Sequence, residues 1–257
     1  MEERLNHCPV SYDDAPMKPR LPFAPASSLA PTASNKARPT LADQAYDRIK
    51  GLIFDFRLMP GDRFSETELT EHVQVSRTPL RQALQRLQRE GFLRVFPKLG
   101  WQVAPLDFDK FDELYDLRIL LECHAVGRLC ESLDRASLDS LTARWEVPAS
   151  QRLDTPAAVR DLDEAFHHSL VEGSCNREMV RVHGEITDRI RIIRRLDFTK
   201  SSRIEATYAE HAAILRAIVR RRAQEAQRLL RAHIEQSKLE VRHITLDMLY
   251  RARQVSA

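Results

Sequence analysis

The chain has 257 residues and a net charge of only +3, so it lacks the global basic field that attracts nucleic acid. Apolar residues make up 43% of it, whereas only 7 glycines occur, which predicts a mostly helical protein of one large or two modest domains. The 4 cysteines lack the spacing of a metal or disulfide framework. No apolar run reaches membrane-spanning length and no signal-peptide core is visible, so we expect a cytoplasmic protein without a membrane partner.

The first part of the chain predicts a disordered tail followed by a small compact unit. Residues 1–39 hold more than half of the 13 prolines and show no hydrophobic period, which is typical of disorder. Residues 40–105 carry the order of elements found in a winged helix-turn-helix. We expect a helix from Leu41, a turn at 59–62, a helix capped by Ser65 and Glu68, a helix over 77–90 capped by Ser76, and strands at 92–96 and 101–104.

Beyond Pro105 every strong segment has helical periodicity, so residues 106–257 predict an all-helical bundle. The predicted helices span 109–133, 136–147, 156–173, 177–196, 203–220 and 223–250.

The predicted helix 77–90 has one apolar face and one face suited to DNA. Four apolar residues share the inward side, namely Leu80, Ala83, Leu84 and Leu87. The outward side carries Thr78, Arg81 and Gln82, which can contact phosphates, guanine and adenine in a major groove. Taken alone, a basic helix face is explained as well by an ordinary solvated surface as by DNA binding. The following hairpin, with Lys98, Leu99 and a Gly100 that leaves room for backbone contact, favours the DNA-binding reading.

The same segments resemble the GntR family of bacterial regulators. The matching stretches are MPGD at 59–62, SETEL at 65–69, VSRTPLRQAL at 75–84, EGF at 90–92 and the wing glycine. The resemblance implies that DNA is contacted by Ser76, Arg77, Thr78 and Arg81 on the recognition helix, and by Lys98, Leu99 and Gly100 on the wing. Many members have arginine where this chain has Thr67, so one contact of the family is not expected here.

Four polar residues of the bundle predict either a metal site or a polar core. Asp163 and His167 are four residues apart on one predicted helix, so they project side by side. His211 and His233 each lie on the apolar stripe of a later helix, where an unpaired imidazole is costly. One divalent ion would satisfy all four groups, and so would hydrogen bonds to core carboxylates or backbone. Spacing alone leaves both readings open.

The bundle also resembles the C-terminal ligand-sensing (FCD) domain of the FadR subgroup. The matching features are Arg118 with Glu122, DEAFH at 163–167, SCN at 174–176, the segment 210–218, and His233. The resemblance implies that Asp163, His167, His211 and His233 bind a divalent ion, commonly zinc, which helps to hold a small carboxylate effector. Nickel, manganese and iron suit the same donors.

Three further residues of the bundle are predicted to have mainly structural roles. Arg118 can bind an effector carboxylate or form a salt bridge with Glu122 one turn away, and the spacing favours the salt bridge. His183 has no partner spacing, which predicts a structural or surface role. Trp145 is expected to pack in the core without an identified stacking partner.

The sequence as a whole predicts a homodimeric, effector-responsive DNA-binding regulator and no enzyme. Its partners would be a double-stranded operator with an inverted repeat and a small carboxylate. A metal-dependent hydrolase built on the Asp/His site is the alternative from another class, but no general base beside the metal is evident. An architectural DNA-binding protein, whose bundle only dimerises, is the third reading.

Overall fold

A computed structural model describes residues 39–131, 135–194 and 201–243. The fold is mostly helical with a small sheet, as the composition predicted. Almost all of the predicted tail and the predicted helical segment 244–250 lie outside the described residues. The elements are α1 (Leu41–Phe54), β1 (Arg63–Phe64), α2 (Glu66–Val73), α3 (Arg77–Arg89), β2 (Leu93–Phe96), β3 (Gly100–Val103), α4 (Phe108–Glu131), α5 (Arg135–Trp145), α6 (Pro156–Glu172), α7 (Arg177–Arg194), α8 (Ser201–Val219) and α9 (Ala223–Arg242).

Local capping explains where the first helices begin. Ser65 accepts a hydrogen bond from the Glu68 backbone at 3.2 Å, and the Glu68 carboxylate accepts one from the Ser65 backbone at 2.8 Å. This reciprocal capping box confirms the predicted start of α2. Ser76 occupies the N-cap position of α3, but its side chain makes no capping hydrogen bond, so that part of the prediction was wrong. Its exposed hydroxyl is thereby left available to a ligand.

The wing is a three-stranded antiparallel sheet in the order β1-β3-β2. The sequence predicted the β2–β3 hairpin and missed β1, whose two residues are too few to show alternation. Phe64 of β1 pairs with Trp101 of β3 and is buried. Gly100 has a φ of +98°, and a Cβ there would lie 2.6 Å from the Phe64 carbonyl oxygen. The glycine is therefore required by contacts inside the protein, whereas we had expected it to make room for DNA.

The head, as we call residues 40–105, encloses one apolar core. The buried face of α3 consists of the predicted residues Leu80, Ala83, Leu84 and Leu87. This face packs against α1 and α2, and the sheet covers one end. The polar side of α3 is consequently turned to solvent.

The bundle, as we call residues 106–243, is built around α4. This helix packs against α6, α7 and α9, while α8 lies between α5 and α9. The inner face of α4 carries Arg118 and Glu122 among apolar residues, and both are fully buried. A short 3₁₀ helix at Ala149–Gln151 occupies part of the predicted loop before α6. Within the described ranges, no helix is long and apolar enough to cross a bilayer.

Candidate metal centre and DNA-reading face

The structure brings Asp163, His167, His211 and His233 together in the centre of the bundle. Asp163 and His167 lie one turn apart on α6, His211 lies on α8 and His233 on α9. All four side chains are at least 96% buried. Three helices from separate parts of the sequence therefore bring four side chains of metal-binding type to one enclosed point.

One atom of each side chain faces the same small volume. His233 Nε2 lies 3.2 Å from the Nε2 atoms of both His167 and His211. Asp163 Oδ1 lies 3.6 Å, 3.3 Å and 3.8 Å from the Nε2 atoms of His167, His211 and His233. Four donors bound tetrahedrally to one zinc ion, each about 2.0–2.2 Å from the metal, stand roughly 3.3–3.6 Å apart. The donor set thus fits a single four-coordinate divalent ion.

Two carboxylates hold two of the imidazoles in the orientation that a metal ligand needs. Glu122 Oε2 lies 2.5 Å from Nδ1 of His167, and Glu210 Oε2 lies 2.5 Å from Nδ1 of His233. Each Nδ1–H donates to its carboxylate, so each Nε2 presents a lone pair to the centre. Such carboxylate–histidine pairs are the usual outer support of a protein metal site.

Burial keeps the three histidines neutral at ordinary pH. Burial lowers the pKa of His233 to about 3, against the opposing effect of Glu210. The pKa values of His167 and His211 are also lowered, mainly by burial, to which Arg118 adds at His167 and the neighbouring imidazoles of His233 and His167 add at His211. Three neutral imidazoles with converging lone pairs repel one another, and a cation between them removes that repulsion.

The third imidazole is held by aromatic packing. The ring of His211 stacks on Phe166, with centroids 3.7 Å apart, and meets Trp145 edge-on at 4.1 Å. Its Nδ1 has no hydrogen-bond partner among the residues described. Trp145 is a core residue as predicted, but it contacts Phe166, Tyr208 and His211, three ring partners that the sequence did not reveal.

Every carboxylate around the centre is paired with an arginine. Arg194 of α7 binds Oδ2 of Asp163, and both side chains are buried. Arg118 Nε donates to Glu122 Oε1 at 2.6 Å, and Arg203 donates to Glu210 at 3.0 Å. Although burial opposes it, Arg118 together with His167 holds the pKa of Glu122 well below its usual range. Hence the carboxylates near the centre are ionised and already neutralised by partners.

Arg118 therefore forms the predicted salt bridge with Glu122. Its Nη2 atom is buried and has no hydrogen-bond partner within the described part of the chain. One end of the guanidinium is thus fixed by Glu122 while a second donor stays available to an anion. The salt bridge with Glu122 is therefore the interaction that the structure shows, and Nη2 is the donor left for the expected contact with an effector.

His183 belongs to this network, although only a structural or surface role was expected for it. Its side chain is buried on α7, and Nε2 lies 3.0 Å from Glu122 Oε1. The surface half of the expectation was wrong. The available signal was its position on the apolar face of α7 beside Ile186 and Ile190. His168, which directly follows His167, is exposed and contacts Glu172 instead.

The predicted DNA-contacting side chains share one solvent-exposed region of the head. On the recognition helix and its N-cap, all five predicted residues are exposed, namely Ser76, Arg77, Thr78, Arg81 and Gln82. Lys98 and Leu99 are exposed at the tip of the wing, and Gly100 is half-buried next to them, where β3 begins. Arg81 Nε donates to Glu66 on α2 at 2.8 Å, which leaves the terminal N–H groups of Arg81 directed to solvent. The arrangement suits two-donor contact with a base edge.

Comparison with known families agrees with both halves of the fold. Residues 41–103 match the family described as bacterial regulatory proteins, gntR family. Residues 113–236 match the FCD domain.

Individual relatives extend this agreement over most of the chain. The Nta operon transcriptional regulator of Aminobacter aminovorans is 33% identical over 70% of this chain and 84% of its own length. YdhC of Bacillus subtilis (strain 168), an uncharacterized HTH-type transcriptional regulator, is 29% identical over 78% of this chain and 91% of its own. Among solved structures, E. coli McbR/YncC has a TM-score of 0.63 at 19% identity, covering 79% of this chain and 98% of that one, which shows a shared fold.

Proposed function

Because the chain belongs to the GntR family of bacterial transcriptional regulators and carries an FCD effector-binding domain, we propose that it senses a small organic carboxylate through a divalent metal, preferably zinc. The ligands would be Asp163, His167, His211 and His233. The observation that carries the proposal is the convergence of their four donor atoms in a buried site, where Asp163 Oδ1 and His233 Nε2 each lie 3.2–3.8 Å from the other donor atoms.

The charge balance of the site supports an anionic effector. The three carboxylates nearest the centre, Asp163, Glu122 and Glu210, are each paired with an arginine, so these groups sum to no net charge. The charge of a bound divalent ion would then be uncompensated inside the bundle, which is costly in a medium of low polarity. A carboxylate that binds the ion as a fifth ligand, an expansion that zinc sites allow, offsets this charge, and the free Nη2 of Arg118 offers it a second contact.

The DNA-binding half of the proposal rests on the exposed polar face of α3. We propose Ser76, Arg77, Thr78, Arg81 and Gln82 as the recognition residues, with Lys98 and Gly100 at the wing. One recognition helix buries too little surface for tight binding, so the active species would be a homodimer on an inverted repeat. Effector binding that favours one arrangement of the bundle would change operator affinity by linkage.

The alternative of a metal-dependent hydrolase is not supported. Glu164 directly follows the proposed ligand Asp163, but Arg191 of α7 engages both of its oxygens, which makes it unsuited to act as a general base. The family match to transcriptional regulators points the same way. If the chain were an architectural DNA-binding protein whose bundle only dimerises, its operator affinity would not depend on the metal.

Operator binding with and without metal tests the proposal. A duplex is first selected by the wild-type protein from a pool of random sequences, and its Kd is measured with zinc-loaded and with chelator-treated protein. We expect the two values to differ by about fivefold or more, the usual scale of coupling between sites. Addition of candidate carboxylates should then change the Kd of the zinc-loaded form.

Two histidine variants provide the test and its matched control. His211→Ala removes a ligand that is fully buried, and His168→Ala removes an exposed imidazole next to a ligand. The first change should abolish the difference between zinc-loaded and chelator-treated protein, and the second should preserve it. Equal Kd values in the wild type, or a difference that survives His211→Ala, would contradict the proposal.

A further inference from the structure

Lys50 connects the head to the bundle through a mostly buried ammonium group. It lies near the end of α1, and its side chain is only 12% exposed. Its Nζ donates to Asp188 of α7 at 3.0 Å and to the Tyr46 hydroxyl at 2.8 Å. Lysine is rarely buried unless it is paired, so this position indicates a specific role for the charge.

Aromatic rings of the head surround the same ammonium group. Lys50 Nζ lies 5.2 Å from the ring centroids of Tyr46 and Phe92, and 5.7 Å from that of Phe54. The quadrupoles of these rings attract a cation that has lost part of its water. Phe54 and Phe92 also pack edge to face, with ring centroids 5.5 Å apart, so the rings around the ammonium group hold one another in place.

On the head side, Lys50 is tied to the end of the recognition helix. The Tyr46 hydroxyl donates to Glu90 Oε2 at 2.6 Å, and Lys50 Nζ lies 3.8 Å from the same oxygen. Glu90 is the C-cap of α3. A displacement of Lys50 therefore acts on the helix whose other end presents Arg77 and Thr78 to DNA.

On the bundle side, α7 links the partner of Lys50 to the metal centre. Asp188 Oδ1 also receives Arg191 Nη1 at 2.7 Å, and Arg191 Nε donates to Glu164 of α6 at 3.0 Å. Asp163, the preceding residue of α6, is held by Arg194, one turn beyond Arg191 on α7. Two consecutive arginine pairs thus attach α7 to the segment of α6 that bears a proposed metal ligand.

We infer that Lys50 is the positioning residue that fixes the head on the bundle, so that the recognition helix follows the state of the metal centre. The inference rests on the function proposed above for that centre. A helix transmits a shift along its length because its backbone hydrogen bonds make it stiff. Movement of α6 at Asp163 and Glu164 is passed to α7 through the two arginines, and Asp188 passes it to Lys50.

The first test measures the attachment itself, without DNA or metal. Hydrogen exchange of the last turn of α1 is recorded in the full chain for the wild type, Lys50→Met, Asp188→Asn and the double variant. We expect each single change to speed exchange in this turn roughly fivefold, and the double change to add little, because the Lys50–Asp188 pair that joins α1 to α7 is lost in each single variant. Asp188 is partly exposed, so Asp188→Asn gives the same information where Lys50→Met lowers overall stability.

Lys110 provides the matched control for both arms of the test. It lines a cleft between head and bundle together with Glu90 and Arg189, but it is exposed and has no ion-pair partner among the residues described. Lys110→Met should leave exchange in α1 unchanged. Additive effects of Lys50→Met and Asp188→Asn, or no effect of either, would overturn the inference.

The second test measures coupling to the metal centre. The ratio of operator Kd values with zinc and with chelator should fall close to one in Lys50→Met, and should keep its wild-type value in Lys110→Met. A wild-type ratio in Lys50→Met, or a ratio of one in wild-type protein that binds zinc, overturns the inference. If the wild type binds no zinc, the proposed metal site fails, and the exchange experiment alone decides the role of Lys50.

Discussion

At the scale of the single residue, the proposed centre depends on which nitrogen of each histidine carries the proton. Glu122 and Glu210 accept from Nδ1 of His167 and His233, and this leaves both Nε2 atoms as metal ligands. His211 has no such carboxylate and is held by stacking on Phe166 instead. Because carboxylates hold His167 and His233 whereas stacking holds His211, removal of each supporting group should weaken metal binding to a different extent.

Glu210→Gln tests the hydrogen bond by which Glu210 supports His233. The change creates no cavity in the core, since the Glu210 side chain is one-third exposed and glutamine has nearly the same size. Loss of the charged acceptor should weaken zinc binding about 10- to 100-fold and leave the fold intact. Titration with zinc measures the effect. Glu205→Gln, on an exposed position of the same helix, is the control and should bind zinc like the wild type. Equal affinities of the two variants would show that Glu210 does not support the site.

Arg81→Ala tests the proposed reading face. Loss of a two-donor base contact should cost about 1–3 kcal/mol per half-site and relax sequence preference, with no change in melting temperature. Gel-shift titration on the selected duplex measures it. Arg181→Ala, which removes an exposed arginine from the bundle, should leave affinity unchanged. An unaltered preference in Arg81→Ala would place the reading face elsewhere.

At the scale of the element, hydrophobic period and capping residues were sufficient to predict the helices. Each predicted helix of the bundle agrees with an observed one within a few residues over the described ranges. Strand β1 was missed because two residues cannot show a period and because its pairing partner lies 37 or more positions later. The role of Gly100 was misread for the same reason, since its close contact is with β1.

Gly100→Ala should damage the wing more than its small size suggests. The added Cβ meets the Phe64 carbonyl oxygen at 2.6 Å, and the φ of +98° is unfavourable for any L side chain. We expect a loss of more than about 1 kcal/mol in the free energy of unfolding. Gly51→Ala in α1, where no heavy atom lies within 4 Å of the new Cβ, should instead stabilise by up to about 1 kcal/mol. Denaturant unfolding of the two variants distinguishes these opposite signs.

At the scale of the whole molecule, the sequence predicted the four converging side chains only with the help of family resemblance. Helical faces showed that His211 and His233 point inward, but not that α6, α8 and α9 bring them to the same point. The arginines that neutralise the site could not be predicted, because Arg194 and Arg203 reach it across helices. Nor could the pairing of Lys50 with Asp188, which are 138 residues apart.

The three buried histidines make the metal-free protein sensitive to mild acid. Their pKa values are lowered from 6.5, to about 3 for His233, so the unfolded chain takes up protons that the folded chain refuses. Their contribution to stability is therefore complete above pH 6.5 and is lost as the pH falls toward 3. Denaturant unfolding of chelator-treated protein at a series of pH values measures this. A free energy of unfolding that stays constant as the pH falls through this range would contradict the burial of neutral imidazoles.

The central claim is that the four-residue cluster is a metal centre, and zinc stoichiometry tests it most directly. Elemental analysis of untagged protein, purified without chelator, should find about one divalent ion per chain, the value for a single four-ligand site. His211→Ala should lose the ion, and His168→Ala should retain it. An absence of metal in the wild type, with no rise in melting temperature when zinc is added, would contradict the account and leave the cluster as a polar core.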